Sequence, residues 1–191
     1  MPERLDQACA ALLEELFRWN RKINLTGHRD RQAAMADLIL DSLALAPHVK
    51  GDRLLDIGSG AGFPGLVLAL ARPRLEVTLL EARGKRVSFQ EHMIRTLGLK
   101  DRVRALLGRA SAQREQDIPA LAGKNFSTVT LKAVAGLEES LSLARPYLEP
   151  GGRILLPRGL KDKEQALALG LKIQPYQLPQ PGGSRIIVIA D

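Results

Sequence analysis

Two amphipathic stretches open the chain. Apolar residues recur every three or four positions over residues 5–22, which predicts a first helix that ends at about Lys22. The polar segment "NLTGHRD" interrupts the pattern, and a second periodic stretch predicts a helix over residues 32–46, ended by Pro47. We therefore expect residues 1–50 to form a helical cap.

From residue 51 short apolar runs alternate with helical patterns. The runs predict strands over 53–58, 75–82, 102–108, 126–134, 152–157, 171–179 and 184–190. The stretches between them predict helices over 64–71, 84–97, 137–148 and 161–169. This alternation predicts an α/β fold with a doubly wound, mostly parallel seven-stranded sheet, whose last two strands form an antiparallel hairpin. We expect one domain of 191 residues, with the cap at 1–50 and the core at 51–191.

The first predicted strand runs into a glycine-rich turn, "LLDIGSGAGFPGL" over residues 54–66. Turns of this kind let the backbone approach a nucleotide-like ligand closely. The dinucleotide fingerprint G-x-G-x-x-G fails, because Phe63 stands where the third glycine belongs. The triphosphate-binding P-loop also fails, since Leu66 and Val67 replace its lysine and its hydroxyl residue.

Two acids next to this turn favour S-adenosylmethionine as the ligand. Asp56 lies two residues before Gly58, where a carboxylate repels a pyrophosphate and attracts a sulfonium or ammonium group. Glu81 ends the second predicted strand, about 20 residues beyond the turn, where an acid accepts hydrogen bonds from ribose hydroxyls. The alternative interpretation makes Asp56 a residue that caps the turn and Glu81 a surface acid.

The net charge of +7 is concentrated in the predicted core. Basic and acidic residues are equal in number over 1–50, whereas eight basic residues lie between Arg83 and Arg109. This excess favours a polyanionic partner, and Arg83, Lys85 and Arg86 are candidate RNA contacts because their positive charge opposes the dipole of the helix that begins there. A solvated first helical turn is an equally good interpretation of these three residues.

Other features narrow the class of protein. The only cysteine is Cys9, which excludes an intrachain disulfide and a cysteine-based zinc cluster, and the scattered histidines predict no metal site. No apolar run reaches the roughly 20 residues that span a bilayer, and the amino terminus lacks an apolar signal core. We expect a cytoplasmic protein with no membrane partner.

Four segments resemble one family of enzymes over most of the chain. They are "WNRKINLT" (19–26), "LILDSLALAP" (38–47), "DIGSGAGFPG" (56–65) and "LLEARGKRVSF" (79–89). In this order they resemble the small-subunit ribosomal RNA guanine-N7 methyltransferases, also called the glucose-inhibited division protein B family. The resemblance implies a class I, Rossmann-like methyltransferase fold that uses S-adenosylmethionine. It further implies methylation of N7 on one guanine in the decoding region of small-subunit rRNA. Separately, we expect the rRNA to be bound within the small ribosomal subunit and the protein to be a monomer.

The resemblance also implies where the cofactor binds. Together with the residue-based argument, it gives the predicted cofactor contacts Asp56, Gly58, Ser59, Gly60, Phe63, Glu81, Ala110, Ser111 and Lys132. Three positions depart from the family. Ser111 stands where an acid is usual, Lys132 where an arginine is usual, and Asp37-Leu38 where a basic pair is frequent.

The chemistry of a ring-nitrogen acceptor agrees with the scarcity of candidate catalytic groups. N7 of guanine carries a lone pair and no proton, so alignment with the methyl donor suffices and no catalytic side chain is predicted. Asp41 and Ser42 either brace the turn or belong to the active site.

Two other functions are alternatives to an rRNA methyltransferase. One is a nicotinamide-dependent oxidoreductase, which Asp56 and Phe63 oppose. The other is an RNA-binding protein without activity, which the departures from the family pattern suggest.

Overall fold

The computed structural model describes residues 3–112 and 118–191. Its strands are β1 (Arg53–Ile57), β2 (Glu76–Glu81), β3 (Val103–Leu107), β4 (Phe126–Leu131), β5 (Leu148–Gly159), β6 (Lys172–Leu178) and β7 (Gly183–Ala190). They form one seven-stranded sheet in the order β3-β2-β1-β4-β5-β7-β6. β7 runs opposite to the other six strands, and it forms the predicted antiparallel hairpin with β6. The predicted fold class is confirmed.

Helices connect the strands and cover the sheet. They are α1 (Glu3–Asn20), α2 (Arg31–Ala34), α3 (Asp41–Leu45), α4 (Gly65–Ala71), α5 (Gly84–Thr96), α6 (Leu137–Ala144) and α7 (Lys163–Ala168). Short 3₁₀ turns lie at 46–48, 119–121, 145–147 and 160–162. None of the helices within 3–112 and 118–191 is both long and apolar enough to cross a membrane.

Each face of the sheet buries its own hydrophobic cluster. Leu54 contributes to the cluster under α1, α4 and α5, whereas Leu55 contributes to the cluster under α6. Side chains alternate between the two faces of a strand, so a strand covered on both faces is apolar over most of its length. The cap helix α1 shares the first cluster through its buried residues Cys9, Leu12 and Leu16. Burial raises the pKa of the Cys9 thiol to about 11, as an inert core residue requires.

The second predicted helix is not regular, and this prediction was wrong in detail. Helix α2 continues into a π-helical stretch, Met35–Leu40, before α3 begins, and Pro47 lies inside a 3₁₀ turn rather than beyond the helix. A π-helical turn changes the number of residues per turn over only a few positions, so the spacing of the apolar residues still predicts one helix.

Some boundaries near the carboxyl edge of the sheet also differ from the prediction. Strand β4 ends at Leu131 rather than at residue 134, and β5 covers Leu148–Gly159 rather than 152–157. The register of the pair shifts between Phe126 and Thr128, an irregularity that apolar runs do not encode. Because β4 ends at Leu131, Lys132 is the first residue of the following loop, which faces the glycine turn across the first cavity described below.

Candidate active site

A cavity of about 490 Å³ opens at the carboxyl ends of β1, β2 and β4. Ligands of open α/β sheets bind at this edge. Most of the predicted site residues line it together: Gly58, Ser59, Gly60, Phe63, Glu81, Arg83, Arg86 and Lys132. An adjoining cavity of about 290 Å³ shares Gly58 and Glu81 with the first and includes Ala110. Ser111 follows Ala110 in the chain and lines neither cavity.

The turn between β1 and α4 requires its first glycine. Gly58 has a φ of +67°, in the left-handed region, and a Cβ atom there would lie 2.5 Å from Cγ2 of Val134. The amides of Gly58 and Ser59 both donate to the carbonyl of Leu80, at 2.8 and 3.1 Å. The turn is therefore fixed against β2, with its backbone exposed to the cavity.

A buried glutamine holds the turn from the other side. The Nε2 atom of Gln90, on α5, donates to Ser59 Oγ and to the Gly60 carbonyl, each at 2.8 Å. Gln90 is fully buried. Sequence reasoning missed this residue, although a glutamine among the apolar positions of a predicted helix is a signal, because a buried amide needs partners.

Glu81 is held at the boundary of the two cavities. Its Oε2 accepts from the amide of Gly60 and its Oε1 from the amide of Arg83, both at 2.9 Å. Arg86 Nη1 lies 3.7 Å from the same Oε2. Arg86 is thus a half-buried neighbour of Glu81, whereas Arg83 and Lys85 are exposed. Of these three predicted RNA contacts, Arg83 and Arg86 line the first cavity, whereas Lys85 does not.

Asp56 points away from the cavity, into the protein. Its Oδ2 accepts from the amide of Gly65 at 2.8 Å, and its Oδ1 has no hydrogen-bond partner among the described residues. Burial raises the pKa of Asp56 to about 7, against the opposing effects of the Gly65 hydrogen bond and Lys132. In this structure the carboxyl group of Asp56 caps the turn. A direct contact between Asp56 and the cofactor stays a prediction. From its buried position, Asp56 would attract a cationic ligand only by long-range electrostatic interaction.

The elevated pKa of Asp56 predicts a pH dependence of stability. Its ordinary pKa is 3.8, so between about 4 and 7 the folded protein binds more protons than the unfolded chain. This group therefore stabilises the fold as the pH falls from about 7 towards 4, by up to about 1.4 kcal/mol per pH unit. Urea unfolding of the wild-type protein at several pH values should show this contribution, and Asp56→Asn should lack it.

Asp52→Asn is the matched control, because Asp52 is an exposed carboxylate just before the same strand. Its stability should follow the wild-type pH dependence. If Asp56→Asn follows that dependence as well, Asp56 does not titrate near neutrality.

Lys132 lies in a polar cluster on the opposite side of the cavity. Its Nζ is 2.6 Å from Asp41 Oδ2 and also donates to the backbone carbonyl of Asp37, in the π-helical stretch. The hydroxyl of Tyr176, from β6, donates to Asp41 Oδ1 at 2.5 Å. Burial and the neighbouring carboxylate raise the pKa of Tyr176, which keeps its hydroxyl protonated. The cluster thus joins β4, α3 and β6, and sequence reasoning missed Tyr176.

The structure places Asp41 and Ser42 in different surroundings. Asp41 contacts Lys132 and lines a cavity, whereas the Ser42 hydroxyl donates to the carbonyl of Leu38 in the preceding turn.

The "NLT" segment forms another part of the wall, because Leu25 and Thr26 line the first cavity. Both of their amides donate to Asn20 Oδ1, at 2.8 and 3.0 Å, which fixes this segment to the end of α1.

Comparison with known proteins identifies close relatives. A family model described as GidB, rRNA small subunit methyltransferase G, matches residues 6–178. The ribosomal RNA small subunit methyltransferase G of Alkalilimnicola ehrlichii is 38% identical over 190 residues, which cover 97% of this chain and 83% of the relative.

Solved structures show the same fold at lower identity. A methyltransferase from Geobacter sulfurreducens superposes with a TM-score of 0.63 at 17% identity, over 95% of this chain and 89% of that one. A second methyltransferase from that organism, solved in complex with S-adenosyl-L-homocysteine, gives a TM-score of 0.53 at 21% identity, over 81% of this chain and 55% of that one.

Proposed function

Because the chain belongs to the GidB family of rRNA small subunit methyltransferases G, we propose that it transfers the methyl group of S-adenosylmethionine to N7 of a guanine in small-subunit rRNA. One structural observation carries the proposal. The glycine turn, Glu81 and Lys132 surround one cavity at the carboxyl edge of the sheet, where this fold binds its ligand.

The residues around this cavity suit S-adenosylmethionine. A Cβ atom at Gly58 would collide with Val134, which lines the same cavity, so glycine keeps the backbone of the turn at this wall. In our assignment Glu81 holds the ribose hydroxyls, and Ser59, Gly60 and Phe63 contact the methionine end of the molecule. The adjoining cavity at Ala110 takes the adenine, with Ser111 beside it.

The residues of the chain would act by alignment and by exclusion of water. S-adenosylmethionine supplies an electrophilic methyl group, and its transfer breaks the bond from carbon to sulfur and forms the bond from carbon to N7. The guanine ring takes up the positive charge, and no proton leaves N7. The apolar side chains of Leu25, Phe63 and Val134 line the cavity and would exclude water from the reacting atoms. The acceptor base would enter the cavity from the side on which Lys132 lies.

A methyl-transfer assay tests the proposal. Small ribosomal subunits that lack the modification are incubated with the protein and labelled S-adenosylmethionine, and the modified base is mapped. Parallel arms with naked rRNA and with assembled subunits identify the preferred substrate. Binding of NADH in calorimetry without methyl transfer would favour an oxidoreductase, and RNA binding without methyl transfer would favour a non-enzymatic protein.

We extend the proposal to the setting of the reaction. We propose that the protein acts as a monomer on rRNA within the small subunit, in the cytoplasm where ribosomal subunits reside. The excess of basic residues after residue 50 supports a polyanionic partner. Sedimentation of the protein alone and with small subunits tests both points.

The exposed cation Lys85 predicts a salt-dependent contact with RNA phosphates. Lys85→Glu should weaken binding to small subunits and reduce the slope of log affinity against log salt, by about 0.7 to 0.9 for each phosphate that the variant no longer neutralises. Affinity for S-adenosylmethionine should change little, because Lys85 is exposed and does not line the cavity. Filter binding at several salt concentrations and calorimetry measure the two affinities.

Arg95→Glu provides the control at the far end of the same helix, where the side chain is also exposed. It makes the same reversal of charge and should leave the salt slope near the wild-type value. Equal slopes for all three proteins would show that the first turn of α5 is only a solvated helix face.

A further inference from the structure

A third cavity lies beside the cofactor cavity and shares a wall with it. Its volume is about 420 Å³, within the usual range for sites that bind small molecules or single nucleotides. Lys132 and Ala133 line both cavities, whereas Asp41, Pro157 and Arg158 line only the third. Lys132 therefore stands between the proposed cofactor site and an additional site.

The third cavity presents a hydrogen-bond donor directly beside an acceptor. Lys132 Nζ lies 2.6 Å from Asp41 Oδ2, and Tyr176 holds the other carboxylate oxygen. An ammonium group has three N–H donors, and among the described residues two of them face Asp41 and the carbonyl of Asp37. One donor of Lys132 and a second lone pair of Asp41 Oδ2 remain for a ligand.

A guanine base carries the complementary pair on adjacent atoms. Its O6 accepts a hydrogen bond and its N1–H donates one, whereas adenine reverses both roles. We propose that Lys132 donates to O6 of the target guanine and that Asp41 accepts from its N1–H. This proposal rests on the proposed function, and it assigns the selection of guanine to this pair of side chains.

The position of Lys132 orients the base. O6 lies between N1 and N7 on the edge of guanine, so a contact from Lys132 to O6 places N1 and N7 on opposite sides of that contact. With N1 at Asp41, in the third cavity, N7 faces the cavity that holds the proposed cofactor. The same two contacts would thus select the base and aim its nucleophilic nitrogen.

The charges around this cavity suit a nucleotide. Arg158, Lys161 and Arg185 line it with Lys132, against the acids Asp41 and Asp162. The cations can accommodate the phosphates of the target nucleotide. Asp41 also opposes the positive charge that develops on the ring as N7 is methylated, so its contact with N1–H strengthens in the transition state.

Substrates with one altered base test the contact with N1–H. Small subunits are reconstituted with rRNA that carries guanosine, inosine or 1-methylguanosine at the target position, and kcat/KM is measured for methyl transfer. Inosine keeps O6 and N1–H and should react within about threefold of guanosine. 1-Methylguanosine lacks the N1–H donor and should lose at least about 100-fold, because Asp41 is left facing a methyl group.

Variants of Asp41 decide whether this residue reads N1–H. In Asp41→Ala and in Asp41→Asn, kcat/KM for guanosine should fall by at least about 100-fold, while the dissociation constant for S-adenosylmethionine stays within about threefold. In Asp41→Ala the additional penalty for 1-methylguanosine should shrink to about threefold. Asp101→Ala, at an exposed carboxylate before β3, should behave like the wild-type protein on all three substrates.

Three outcomes would overturn this inference. The first is a kcat/KM of the wild-type protein on 1-methylguanosine equal to that on guanosine. The second is a loss of kcat/KM on inosine as large as the loss on 1-methylguanosine. The third is an Asp41→Ala protein that discriminates against 1-methylguanosine as strongly as the wild-type protein does. The first two use only the wild-type protein, so they remain decisive if a variant does not fold. Failure of the proposed function is distinct, since the wild-type protein would then transfer no methyl group to guanosine.

Discussion

Gly58→Val is expected to lower the affinity for S-adenosylmethionine by at least about 100-fold, and to abolish methyl transfer at ordinary cofactor concentrations. Its Cβ would lie 2.5 Å from Cγ2 of Val134, on a residue whose φ is +67°. Strain of this kind costs about 1–3 kcal/mol, and the added side chain occupies a wall shared by two cavities. The strain itself lowers stability, whereas the obstructed wall lowers affinity. Since about 1.4 kcal/mol is tenfold in affinity, a 100-fold loss corresponds to about 2.8 kcal/mol of binding free energy.

A second glycine separates backbone strain from loss of the site. Gly98 has the same φ of +67°, but a Cβ there would meet no atom within 4 Å. Gly98→Val should therefore lose stability in urea unfolding while it keeps wild-type affinity in calorimetry. A folded Gly58→Val protein with wild-type affinity would remove the glycine turn from the proposed cofactor site.

The parts of the fold and site that were predictable are those fixed by local sequence. The period of apolar residues gave the seven strands, and the failed fingerprints around Phe63 and Leu66 excluded two classes of nucleotide. The parallel order brings the ends of β1 and β2 to one edge, which places the glycine turn beside Glu81. The amide of Gly60, within that turn, donates to Glu81.

The orientation of Asp56 follows from a principle that sequence reasoning applied incompletely. β1 is a central strand with helices on both faces, so its side chains after Arg53 are buried whichever way they point. A carboxylate there is desolvated and takes a nearby backbone donor, which is the amide of Gly65. The spacing to the glycines alone could not distinguish this arrangement from a contact with the ligand.

The Lys132 cluster could not be predicted from sequence. Asp41 and Tyr176 are separated by 135 positions, and only the packing of the β6–β7 hairpin beside α3 brings them together. The π-helical stretch that offers the carbonyl of Asp37 to Lys132 is equally invisible to an apolar period. Contacts between distant elements decide this side of the active site, and they include both residues of the proposed guanine-reading pair.

Lys132→Ala is expected to lower kcat/KM for methyl transfer by at least about 1,000-fold, with a smaller effect on cofactor affinity. The substitution removes the only cation that lines both cavities among the described residues, and it leaves the nearly buried carboxylate of Asp41 without its charged partner. The variant loses the proposed charged hydrogen bond to the guanine and the positioning of Asp41, and about 4 kcal/mol of lost transition-state stabilisation corresponds to 1,000-fold in rate. Steady-state kinetics on unmodified small subunits, together with calorimetry for the cofactor, measure both effects.

Two further substitutions separate charge in general from charge at this position. Lys132→Arg keeps a cation that can reach both Asp41 and the carbonyl of Asp37, and it should retain activity within about tenfold of the wild-type protein. Lys163→Ala removes an exposed cation from α7 and should change neither measurement. A fully active Lys132→Ala protein would show that neither the cofactor nor the guanine depends on this side chain, and the boundary between the two sites would have to be placed elsewhere.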